Sequence, residues 1–173
     1  MKRTYSVDAP FEERDRGYRK SGERLMTDFD FDAKVLEAVP LFSGLPRGDL
    51  EEIVRLGQKV SFDAGVDIVQ SGDPGDGIYF LLDGRTEVDV GGRFHRLGPG
   101  DFFGEMALLG VKKRLATVKA IEPVEALKIP AARFQELLLD HPSLALAMMK
   151  TLVERLREVE ERIDAWMGGV SLR

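Results

Sequence analysis

At 173 residues the chain has room for one globular domain with short appendages, and 43% hydrophobic with 32% charged residues is an ordinary water-exposed composition. The absence of cysteine excludes disulfides and thiolate metal sites, two histidines leave little for a transition metal, and a net charge of -5 argues against a surface built to neutralise nucleic-acid phosphates. No apolar run approaches the roughly 18–20 residues of a membrane span, and residues 1–20 lack the apolar core of a secretory signal, so the expectation is a cytoplasmic protein without membrane insertion.

Residues 1–27 are polar and mixed in charge, too poor in aliphatics to offset their ordering entropy, and are expected to form a flexible tail or a partner-dependent arm. Residues 28–57 read as a helical segment. Val35, Leu36 and Val39 lead to Pro40-Leu41-Phe42 and a turn at Ser43-Gly44-Leu45-Pro46. A second helix then carries Leu50, Ile53, Val54 and Leu56 on one face and stops at Gly57.

From 58 to 129 the period changes to short β-rich runs, at 78–82, 86–90, 114–121 and 124–129. Ten of the eighteen glycines fall between Gly65 and Gly104, in turn settings such as Ser71-Gly72-Asp73-Pro74-Gly75 and Gly91-Gly92. Short strands so punctuated predict a β-roll or jelly roll rather than an α/β sheet. Asp73, Asp76 and Asp83 are read as turn formers, since they lack calcium-loop spacing. The helical period returns over 130–167. One helix carries Phe134, Leu137, Leu138 and Leu139, a break follows at Asp140-His141-Pro142, a long helix covers 143–167, and residues 168–173 form a tail. The predicted class is mainly β, a β-roll with N-terminal helices and two C-terminal helices.

One segment carries chemistry. Phe103-Gly104-Glu105-Met106-Ala107-Leu108-Leu109 is a glycine-opened helical turn, followed at Arg114 by an arginine expected to start a strand. Amides at such a turn make an anion nest, and an arginine facing it can hold a phosphate by charge-assisted hydrogen bonds. A carboxylate would repel a phosphate but accepts well from a sugar hydroxyl. Glycine, glutamate and arginine together therefore suit a ligand that joins a sugar hydroxyl to a phosphate.

FGEMALL followed by RLATV resembles the phosphate-binding cassette of the cyclic-nucleotide-binding domains, as in catabolite activator proteins and protein kinase A regulatory subunits. The resemblance extends through VPLFSGLP, GDPGDGIYFLLDGR and LGPGDFFGE and covers about residues 31–167. It implies that Glu105 accepts from the ribose 2′-hydroxyl beside the Gly104 backbone, and that Arg114 pairs with the cyclic phosphate. It also places the amides of Ala107 and Leu115 on phosphate oxygens, with Met106 in the same ligand-binding turn, and has Phe103, Leu108 and Leu109 pack the cassette on the β-roll. The sequence departs from the family at Lys113, where proline is frequent, and at Leu115, where a small or hydroxyl residue is. Leu115 lacks the hydroxyl that guanine-preferring members use, which tilts the expected ligand toward cAMP over cGMP. No metal or other cofactor is expected.

In the last helix Ala145, Met149, Leu152, Leu156, Val159, Ile163 and Trp166 recur at spacings of four and three, a heptad seam. Arg155 and Glu160 then fall where a parallel partner helix could pair them. The seam suits a homodimer through this helix, or a lid on the chain's own β-roll. The resemblance implies that Val159, Glu160, Ile163 and Trp166 lie near the base. No helix-turn-helix, kinase, cyclase or channel segment is present in these residues, so the expectation is a stand-alone, non-enzymatic sensor that signals to a separate protein effector. The alternatives are a module of the same fold in which Glu105 and Arg114 form a structural salt bridge, and the regulatory part of an enzyme or transporter complex.

Overall fold

The computed structural model describes residues 23–25, 34–37 and 39–168. A short helix α1 (Lys34–Glu37) and a 3₁₀ turn (Pro40–Phe42) lead into α2 (Arg47–Leu56). The strands among the described residues are β1 (Glu23–Leu25), β2 (Gln58–Phe62), β3 (Asp67–Val69), β4 (Gly77–Asp83), β5 (Thr86–Val90), β6 (Arg93–Leu97), β7 (Phe102–Phe103), β8 (Thr117–Ala120) and β9 (Val124–Pro130). Two helices follow, α3 (Ala131–Asp140) and α4 (Pro142–Gly168). The strands form two antiparallel sheets, ordered β1-β2-β9-β4-β7 and β3-β8-β5-β6. This is the helix-flanked β-roll that the glycine-punctuated strands predict.

The first sheet is sandwiched, which explains the unbroken apolar run of β4. Ile78 and Phe80 face a core shared with Phe42, Leu50, Ile53, Phe134, Leu144 and Met148 of the helical layer. Tyr79 and Leu81, pointing the other way, join Val60, Ile68, Val88 and Val118 between the two sheets. β7 repeats the arrangement, Phe102 toward the helices and Phe103 stacked on Tyr79 at 5.0 Å. Truncating a fully buried ring such as Phe80 to alanine costs about 3–5 kcal/mol. These two aromatic strands therefore fix the floor from which the next loop departs.

Two local expectations are corrected. Glu23–Leu25, assigned to the tail, pairs as a strand with β2, Leu25 opposite Val60. The edge of β2 offers unpaired backbone groups, and a ladder needs no apolar side chains to form on it. The rest of 1–27 lies outside the described residues, as do 169–173. Arg114 precedes its strand, which begins at Thr117, because its backbone pairs with the loop at 72–73 instead. Leu139 lies on α3 as expected, with its side chain exposed. Among the described residues, no helix is long and apolar enough to cross a membrane, and no group of three or more His, Asp or Glu could hold a metal ion.

Candidate functional site

The site is built where β7 ends. Gly104 takes φ +100°, and a Cβ there would collide with the Arg114 guanidinium and the Gly77 carbonyl, so only glycine fits. Glu105 and Met106 open a helical turn that continues as a π-turn over Ala107–Val111 and ends at Lys112 with φ +60°. The loop opposite is laced to this segment. Gly72 N–H donates to the Arg114 carbonyl at 2.8 Å, Arg114 N–H to the Asp73 carbonyl at 2.7 Å, and Gly75 N–H to the Lys112 carbonyl at 3.2 Å. Arg114 is thereby held at both ends of its backbone, and its side chain is directed inward.

That side chain is only 2% exposed. Its Nη2 donates to Asp76 Oδ1 at 2.5 Å and to the Gly77 carbonyl at 2.8 Å, and Nη1 donates to the Gly104 carbonyl at 3.2 Å. The guanidinium also lies 5.7 Å from the Tyr79 ring centre. Nε is buried and has no acceptor, an expensive state for a charged donor. On the other side of Asp76, Oδ2 accepts from Lys128 Nζ at 3.1 Å and from the Tyr79 hydroxyl at 3.3 Å.

Glu105 is 7% exposed and has a different cation, Arg155 of α4, with Nη1 at 3.8 Å. Burial pushes its carboxyl above the usual carboxylate range. Amides of Glu105 and Gly104 and the charges of Arg155 and Arg114 pull in the opposite direction without cancelling the desolvation. Arg155 also donates to the Phe102 carbonyl at 3.0 Å, lies 4.4 Å over the Phe102 ring and stands 3.7 Å from Asp101. From α3, Gln135 donates to the Leu108 carbonyl at 3.2 Å. Both C-terminal helices therefore touch the turn that carries Glu105.

The structure brings Gly104, Glu105 and Arg114 together with buried Ala107, while Met106 and Leu115 are exposed at its rim. Phe103 and Leu108 pack beneath the turn, but Leu109 is exposed, because the π-turn rotates it away from the sheet. In place of the Glu105–Arg114 salt bridge of the alternative reading, the structure has two separate pairs, Arg114 with Asp76 and Glu105 with Arg155. Val159, Glu160 and Ile163 are exposed on α4; Trp166 lies in the same helix, its side chain outside the description. Arg155, expected to face a partner helix, turns instead to its own β-roll.

Asp76 and Lys128 were missed as site residues. Lys128 did leave a trace in the sequence, a charge between Leu127 and Ile129 in a strand apolar on both faces. Asp76 left none, since an aspartate in a glycine-proline loop suits a turn equally well.

The family model of the cyclic nucleotide-binding domain matches residues 59–141. The chain carries a cyclic nucleotide-binding domain. It is 40% identical over 128 residues to a cyclic nucleotide-gated potassium channel of Mesorhizobium japonicum, across 74% of this chain and 36% of the channel. A cAMP-dependent protein kinase regulatory subunit of Emericella nidulans is 38% identical over 106 residues, 60% of this chain and 26% of that protein. Among solved structures, the catabolite activator protein of Thermus thermophilus superposes with a TM-score of 0.65 at 30% identity, covering 74% of this chain and 63% of that one. The chain thus spans about a third or less of the curated relatives named here, and the domain is the part they share. As a cyclic nucleotide-binding domain it is a regulatory unit, and the Gly104–Glu105–Arg114 turn lies inside the matched segment.

Proposed function

We propose that the domain is a cAMP sensor in which Arg114 holds the cyclic phosphate and Glu105 accepts from the ribose 2′-hydroxyl. The observation that carries this reading is Arg114 itself, a buried cation whose Nε–H has no acceptor, beside a buried carboxylate raised by desolvation. An anion reaching the turn would satisfy the first, and a hydroxyl donor would favour ionisation of the second. The amides of Ala107 and Leu115 are the further phosphate donors in this reading. Leu115 supplies no hydroxyl for a guanine, which favours cAMP over cGMP. These are binding groups, and the role is regulatory rather than catalytic.

Signalling is assigned to α4. Arg155 joins this helix to Glu105 and to the Phe102 backbone, so a ligand that draws on Glu105 alters a contact the helix depends on. Leu144 and Met148 anchor the start of α4 in the core, while Met149, Leu156, Val159 and Ile163 remain exposed along the heptad seam. An exposed apolar stripe of this kind supports a parallel second copy covering it, with Val159, Glu160, Ile163 and Trp166 toward the base. The output then passes to a protein effector, as a separate partner or as a further part of a longer chain.

Titration calorimetry with cAMP, cGMP and cyclic dinucleotides tests the reading. Preferential, saturable binding of cAMP supports it, and no heat from any of them removes it.

A further inference from the structure

Lys128 lies in the middle of β9, 6% exposed, where a strand apolar on both faces has no packing need for a charge. Burying an ammonium is costly unless it is compensated. Its compensation here includes the carboxylate that also holds Arg114. Asp76 gives Oδ1 to Arg114 and Oδ2 to Lys128, and the Tyr79 ring lies 5.7 Å from one cation and 5.6 Å from the other. One carboxylate and one aromatic ring are thus divided between two buried cations, and Arg114 also contacts the Gly104 carbonyl of the nucleotide turn.

We infer that Lys128 is a positioning residue for nucleotide binding, acting through Asp76 to keep Arg114 available to the phosphate. This rests on the assignment of Arg114 to the phosphate. A phosphate and Asp76 compete for the same guanidinium, since both are anionic acceptors. Lys128 draws part of the field of Asp76 onto itself, which weakens the hold on Arg114. It also leaves Asp76 compensated when Arg114 turns toward the ligand. Without Lys128 more of the Asp76 charge falls on Arg114, and the phosphate must displace a stronger rival. A point charge on a flexible stem suits this role, since it can follow the carboxylate.

The test is a double-mutant cycle read by cAMP calorimetry, with thermal melts reporting folding. Coupled neighbours of this kind interact by an amount equal to about 2- to 150-fold in affinity. Lys128→Met is expected to weaken cAMP binding by about tenfold in the parent. With Asp76→Asn already present, where the rival charge is gone, it should change affinity by less than about twofold. Lys128→Arg should restore most of the parental affinity. Lys128→Gln runs in parallel as the same neutralisation with a polar end, so that misfolding of one variant leaves the other to decide. An equal loss in both backgrounds would reduce Lys128 to a structural role, and parental affinity in Lys128→Met would remove it from binding altogether. A parent that binds no cyclic nucleotide overturns the nucleotide reading and this inference together, whereas binding by the parent with no coupling overturns only Lys128.

Discussion

Arg114 and Asp76 form a nearly dry ion pair, 2.5 Å between Nη2 and Oδ1, with side chains 2% and 19% exposed. The guanidinium that would hold a phosphate is therefore already engaged, on carbonyls of Gly77 and Gly104 as well as on Asp76. Such an arrangement pre-orients the donor but gives the ligand a competitor. Affinity then reflects a difference between two anionic partners rather than the strength of one contact.

Removing Asp76 leaves two cations, Arg114 and Lys128, without the carboxylate between them. Breaking a buried pair in this way costs about 3–5 kcal/mol. Asp76→Ala should lower the denaturation midpoint accordingly at unchanged m-value. Asp76→Asn, which keeps a carbonyl acceptor in place, should cost clearly less. Equal and negligible losses in urea titrations would show that the pair is not structural.

The Glu105 carboxyl makes a pH prediction with a defined sign. Its folded value is raised by burial, so the folded protein takes up a proton at higher pH than the unfolded chain does. Its contribution to stability is thus fully present below the ordinary carboxylate range and is lost as pH rises through the raised value. A ribose hydroxyl donating to Glu105 favours the ionised form, so cAMP affinity should rise with pH over the same window, with protons released on binding. Calorimetry in two buffers of different ionisation heat measures that release. Glu105→Gln should flatten the pH dependence, and 2′-deoxy-cAMP should show less of it than cAMP. Equal affinity for the two ligands would take the carboxylate out of the ribose site.

Arg155 links the same carboxylate to α4. Arg155→Met keeps length and apolar stem but loses the bond to the Phe102 carbonyl and the charge beside Glu105. Amide exchange over the α4 turn around residue 155 should speed up, and Glu105 should titrate at still higher pH. Unchanged exchange in that turn would separate the helix from the nucleotide site.

The general architecture was readable because local signals recur. Glycine and proline punctuate every β turn, Pro142 marks the helix break, and the GEMA turn with its arginine keeps a fixed order. What escaped depends on distance in sequence. Asp76, Arg114 and Lys128 meet only because β4 pairs with β9 and the 72–75 loop is laced to 112–114. Neither pairing is implied by any one segment. β1 escapes for a related reason, since its pairing is with a distant strand, β2, through the backbone ladder. Heptad position points Arg155 at a partner helix, but it does not say which neighbour is nearer.

The heptad seam predicts assembly. Leu156 is 59% exposed on one chain, and Leu156→Glu would place two carboxylates face to face in a symmetric apolar contact. Sedimentation should show a dimer of the parent shifting to monomer, with salt restoring it only in part because screening does not remove desolvation. A parent that sediments as a monomer at tens of micromolar contradicts the seam as a dimer contact.

The most direct test of the central claim is cAMP calorimetry on the parent and on Arg114→Ala, with folding checked by thermal melt. Loss of one partner of a desolvated charge pair typically costs about 2–5 kcal/mol, or roughly 30- to several-thousand-fold in affinity. The account predicts saturable binding by the parent and a loss of that size in a folded variant. Parental affinity in folded Arg114→Ala would contradict it.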